Sequence, residues 1–162
     1  IFLCSNIAII ITNTFKFFKE LQGDCVYRDD NLIVVKTADG SYKGILWNLT
    51  LETKEKNIVV DISFPAKKTR YCLLSKTVDE ECCNPLKIWH DLGECTNPDK
   101  EQIELLKNAA KPLISSAVLE NTEETISVTI NAGRNGLVYF ELKEALFHGD
   151  RGYDYSVYEE GF

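Results

Sequence analysis

The chain has 162 residues, 44% of them hydrophobic and 27% charged, with 9 Gly and 4 Pro. That length suits one domain over residues 1–162, and the composition excludes the disordered, collagen-like and low-complexity classes. The 18 Lys and Arg against 25 Asp and Glu leave a net charge of −7, which opposes approach to phosphate backbones and excludes nucleic acid as a partner.

The chain opens on Ile and contains no Met, as expected of a fragment or a processed product. The uncharged start includes an apolar run, Leu3 to Ile11, that fits either a signal-peptide remnant or a folded strand or helix. It is too short for the ~20 helical residues that span a bilayer. Phe15, Phe18 and Leu21 then recur at helical spacing up to Gly23.

From Cys25 onward the sequence turns to short runs rich in Val, Ile, Leu and aromatics. Strands are predicted over Leu32–Thr37, Lys43–Thr53, Asn57–Phe64 and Thr69–Leu74, with a turn at Asp39-Gly40. Lys54-Glu55-Lys56 reads as a hairpin tip whose second arm points Ile58, Val60, Ile62 and Phe64 inward until Pro65. Ser75–Cys95 has no clean period and reads as an irregular loop with a helical turn around Trp89.

Asn97-Pro98 is predicted to cap a helix over 98–111 with Ile103, Leu106 and Ala110 on one face, stopped by Pro112. A second hairpin is expected from Ile126, Val128 and Ile130 through the turn-rich 131–136 to Leu137–Leu142. The end, 148–162, reads as an acidic, Tyr-rich tail. The fold class expected is α+β: an antiparallel β-sheet or sandwich-like meander with one or two helices, stabilised by disulfides.

That last expectation rests on Cys4, Cys25, Cys72, Cys82, Cys83 and Cys95, an even count suited to three bridges in an extracellular, secreted protein. The adjacent Cys82 and Cys83 would each reach a separate element, since a bond between them closes a strained ring. No Cys-x-x-Cys is present and the histidines are His90 and His148, so neither a metal nor another cofactor is expected. Asn48-Leu49-Thr50 is a glycosylation sequon, and the alternation of Ile45, Trp47, Leu49 and Leu51 places Asn48 on the polar face of its strand.

Catalytic signals are sparse. The order Cys82-Cys83, His90-Asp91, Cys95 resembles that of secreted phospholipases A2, but six intervening residues that include Pro85 and the lack of a glycine-rich loop upstream exclude that family. His90 beside Asp91 could serve as a general base. His148, Asp150 and Ser156 lack the Gly-x-Ser-x-Gly elbow of a triad. The acidic pairs Asp29-Asp30 and Glu123-Glu124 fall in predicted turns and lend glycosidase chemistry no particular support.

The function expected is therefore a secreted, non-enzymatic binding protein that engages a protein partner, a basic one by the charge balance. Tyr153, Tyr155, Tyr158, Glu159 and Glu160 of the tail are the candidate contact residues. Two alternatives stand beside it. One is a carrier of a small hydrophobic ligand or lipid, lined by Trp47, Ile62, Phe64, Tyr139 and Phe140. The other is a structural subunit of a larger assembly.

Overall fold

The structure, a computed structural model, describes residues 12–50 and 57–145. A first helix, α1, covers 12–20. Three strands follow: β1 (Asp24–Arg28), β2 (Leu32–Lys36) and β3 (Tyr42–Asn48). After them come β4 (Ile58–Pro65), β5 (Arg70–Val78), α2 (Pro85–Asp91) and α3 (Lys100–Ala109), and the series closes with β6 (Leu113–Glu120), β7 (Thr125–Ala132) and β8 (Gly136–Glu144). Mostly antiparallel sheet with three helices, it is an α+β arrangement among the described residues.

Six strands form one antiparallel sheet in the order β1-β2-β3-β8-β5-β6, and β4 pairs with β7 in a second, two-stranded sheet. The small sheet lies over the middle of one face. Its strands alternate strictly: Ile126, Val128, Ile130 and Ala132 of β7 are buried while the residues between them are exposed. They join Ile58, Val60, Ile62 and Phe64 of β4 against Leu46, Val138, Phe140 and Leu142 of the large sheet. The opposite face carries α1, whose Phe17 packs with Ile45, Val78, Cys83, Leu137 and Tyr139. Covered on both sides, β3 has five of its seven residues buried, as expected of a strand between two layers.

The helices are set by local chemistry. Asn84 accepts the Lys87 N–H at 3.1 Å with Pro85 in the first turn of α2. Asp99 and Gln102 form a reciprocal capping box at the start of α3, at 2.8 and 3.0 Å. The cap of α3 is thus Asp99, two residues beyond the Asn97 that the sequence favours.

Neither predicted hairpin exists. β3 pairs with β2 and β8, and β4 pairs with β7 in the other layer, so the 51–56 segment joins two sheets; Lys54-Glu55-Lys56 itself lies outside the described residues. β7 and β8 are likewise parted between layers by a corner at 133–135, where Gly136 donates to Gly133 O at 3.0 Å and Asn135 has φ 49°. A Cβ on Gly136 would lie 2.7 Å from that oxygen. Turn chemistry that permits a hairpin permits a change of layer equally well. β1 and β6 were not foreseen as strands, and the expected loop after Ser75 begins as the end of β5, while the helical turn expected around Trp89 is α2.

The disulfide framework is corrected too. Cys25, Cys72, Cys82, Cys83 and Cys95 are free thiols, and Cys4 lies outside the described residues. Geometry separates two of them: Cys25 is on edge strand β1 and Cys72 on β5, four strands across, or about 19 Å at the usual strand spacing, far beyond the reach of a bond.

Candidate functional site

A cleft of about 810 Å³ opens at one end of the two sheets. The β2–β3 turn forms one wall. There Gly40 takes φ 84° and donates to Thr37 O, and Asp39 Oδ1 accepts both the Thr37 hydroxyl and, at 3.2 Å, the Ser41 N–H. These bonds, that from Thr37 first, hold the Asp39 carboxyl down to about 2, so it is ionised at any ordinary pH. Its other oxygen faces Lys143 Nζ of β8 at 3.7 Å.

The opposite wall is the β4–β5 connection and the end of β8. Ala66 N–H donates to Glu124 O at 2.9 Å, tying that connection to the start of β7. Lys67 Nζ meets Glu144 Oε2 at 3.2 Å. Two phenols close the floor: Tyr42, stacked on Phe64 at 4.5 Å, donates to Pro65 O at 3.3 Å, and Tyr71 accepts the Lys67 N–H at 2.9 Å. The cleft therefore draws on four turns or strand ends far apart in sequence. Asp39-Gly40 was legible as a turn; Lys67, Tyr71, Lys143 and Glu144 carried no motif.

A smaller cleft, about 470 Å³, lies among α2, the end of α3 and β6. Cys83, at φ 64°, donates its S–H to Ala110 O at 2.9 Å and accepts from Asn13 Nδ2 at 3.2 Å, so one thiol joins α1 to the end of α3. Burial pushes the Cys83 and Cys82 thiols above their ordinary value, which makes them poor nucleophiles.

The residues singled out from sequence are dispersed. His90 stands exposed on α2 and pairs with Glu94 at 2.7 Å rather than with Asp91. Asp29 Oδ1 accepts the N–H groups of Asn31 and Leu32 at 2.8 and 2.7 Å, and the Asn31 bond leads in holding its carboxyl low. Asn48 does not face water as expected: it is 5% exposed, and its amide donates to Gly133 O at 3.1 Å and Ala132 O at 3.4 Å, so the nitrogen to which a glycan would attach is engaged inside the protein. Tyr153, Tyr155, Tyr158, Glu159 and Glu160, like His148, Asp150 and Ser156, lie outside the described residues. Among the described residues no three His, Cys, Asp or Glu side chains come together to hold a metal, and no helix is long and apolar enough to cross a membrane.

The profile of glycosyl hydrolases family 39 matches residues 6–125, well over half of the chain. The chain belongs to glycosyl hydrolase family 39. It is 28% identical over 137 residues to a β-xylosidase of Geobacillus stearothermophilus, covering 82% of this chain and 26% of that protein. Its fold is similar to that of the family-39 enzyme from Xanthomonas axonopodis pv. citri, with a TM-score of 0.68 and 13% identity over 81% of this chain and 29% of that one. A monomeric β-xylosidase from Caulobacter crescentus gives 0.67 and 16% over 82% and 30%. The chain thus spans between a quarter and a third of the length of these relatives.

Membership in a glycosyl hydrolase family overturns the non-enzymatic, protein-binding reading and both of its alternatives. The carrier reading also fails on geometry. Ile62, Phe64 and Phe140 belong to the core under the small sheet, whereas Trp47 and Tyr139 pack with α1 on the other face, so the large sheet itself separates the supposed lining.

Proposed function

We propose that the protein acts as a glycoside hydrolase on β-xylosides, and that the layers described above form the β-sheet part of that enzyme. The observation that carries this reading is the family match over 6–125, supported by the relative named as a β-xylosidase. Glycoside hydrolysis usually needs two carboxyl groups: one protonated, to donate to the leaving oxygen, and one ionised, to act as nucleophile or to activate water. An acid in this role has its pKa raised. Asp29, Asp39 and Glu104 are all displaced downward, by the Asn31 N–H, the Thr37 hydroxyl and the Lys107 ammonium respectively. None of these three is the acid.

Asp29 and Asp39 instead fix turns at the β1–β2 and β2–β3 connections. The reading assigns the proton-donating carboxyl to a residue other than these three and gives the two sheets the task of holding the cleft in shape. Release of nitrophenol from nitrophenyl β-xyloside by the native protein tests it, with the β-glucoside and α-xyloside as controls. Hydrolysis of the β-xyloside in preference to both supports the proposal; turnover of none of the three overturns it.

A further inference from the structure

We infer that the cleft at the end of the two sheets is a binding subsite for an uncharged sugar unit of an oligosaccharide. This rests on the proposed hydrolase function and deepens it by assigning the substrate a second place of contact.

Charge is the first argument. The chain as a whole carries −7, yet the cleft is lined by equal numbers of cationic and anionic side chains: Lys36, Lys67 and Lys143 against Asp39, Glu124 and Glu144. A pocket with no net charge offers neither an anion nor a cation an advantage, while its fixed donors and acceptors suit a ligand that presents many hydroxyls.

Availability is the second. The two ion pairs across the cleft are solvent-exposed, Lys67 and Glu144 at 80% and 37%, Lys143 and Asp39 at 57% and 55%. Exposed pairs of this kind contribute little to stability, so a diol can insert between ammonium and carboxylate at small cost. Asp39 is nevertheless held in place by the Thr37 hydroxyl and the Ser41 N–H, which leaves its second oxygen a preorganised acceptor beside Lys143.

The floor completes the match. Tyr71 accepts a backbone N–H and retains its own O–H to donate, while Tyr42 donates to Pro65 O and retains oxygen lone pairs. Pro65 and Ala66 supply apolar surface beside these groups, as the C–H faces of a sugar ring require. At about 810 Å³ the cleft falls within the range of small-molecule sites.

Titration of the full chain with xylotriose, followed by amide NMR and calorimetry, tests the assignment. The expected result is saturable binding with shifts concentrated at residues 39–42, 65–71 and 143–144, weakened by about tenfold or more in Lys143→Ala and in Glu144→Gln. Asp61→Asn, on the outer face of β4, should leave the affinity within about twofold. Absence of binding, shifts centred elsewhere, a preference for an acidic sugar such as glucuronate, or variants indistinguishable from the parent protein would each overturn it. If the native protein hydrolyses nitrophenyl β-xyloside and xylotriose does not bind in this cleft, the subsite is lost and the hydrolase reading stands. If xylotriose binds here and no aryl glycoside is cleaved, the hydrolase reading is lost instead.

Discussion

Gly44 of β3 lies directly opposite Phe140 of β8, and a Cβ built on Gly44 would sit 2.3 Å from the Phe140 ring and 2.9 Å from Ile33 O. The fully buried ring occupies the space that any other residue at 44 would need. This contact lies at the middle of the large sheet, where β3 and β8 carry the core under β4 and β7. Gly44→Ala is expected to destabilise the protein by about 2 kcal/mol through overpacking. Phe140→Leu should cost a similar amount alone but less in the Gly44→Ala background, a coupling that chemical denaturation of the four proteins measures.

Asn48 gives a second expectation. Its buried amide donates to two backbone carbonyls at the corner between β7 and β8. Asn48→Ala removes both donors and should cost about 1–2 kcal/mol. Asn48→Asp sets a carboxylate against the same carbonyls and should cost more at pH 7 than the alanine variant, by thermal unfolding. A loss under about 0.5 kcal/mol for Asn48→Asp would contradict the buried placement.

Asp39 makes stability depend on acid. Its folded pKa is about 2 against an ordinary 3.8, so between these values the unfolded chain binds the proton more readily than the folded one. The stabilisation it provides is complete above about pH 4 and disappears as the pH falls through the folded value. Wild type and Asp39→Asn should therefore differ in urea midpoint at pH 6 and converge towards pH 2. A difference independent of pH would contradict the assignment of the Thr37 and Ser41 bonds.

The inward face of the small sheet was legible in the sequence. The alternation of Ile58, Val60, Ile62 and Phe64, and of Ile126, Val128 and Ile130, marked inward faces that the structure retains, because period-two burial depends on the strand alone. Which strands pair was not legible, because the turn residues at 133–136 are compatible with a hairpin and with a change of layer. β6 was missed since its two serines and its largely exposed side chains give no alternation. The cleft was missed for a related reason: Asp39, Lys67, Tyr71 and Glu144 converge through strand order, and no sequence spacing records it. The even cysteine count misled because parity says nothing of distance.

Thiol chemistry checks the correction to the disulfide framework. Among the described cysteines, Cys25 is exposed and Cys83 is buried with its thiol raised by desolvation. A thiol reagent applied to the unreduced native protein should label Cys25 first and Cys83 only on unfolding, as resolved by peptide mass spectrometry. Failure of Cys25 and Cys72 to react in the unfolded, unreduced protein would restore a bridge between them or to other partners.

The family assignment and the reaction proposed for it meet in one assay. Native protein should release nitrophenol from nitrophenyl β-xyloside at a rate that Asp61→Asn, on the outer face of β4 and away from the cleft, leaves within about twofold. No turnover of any aryl glycoside by folded native protein would contradict the hydrolase reading.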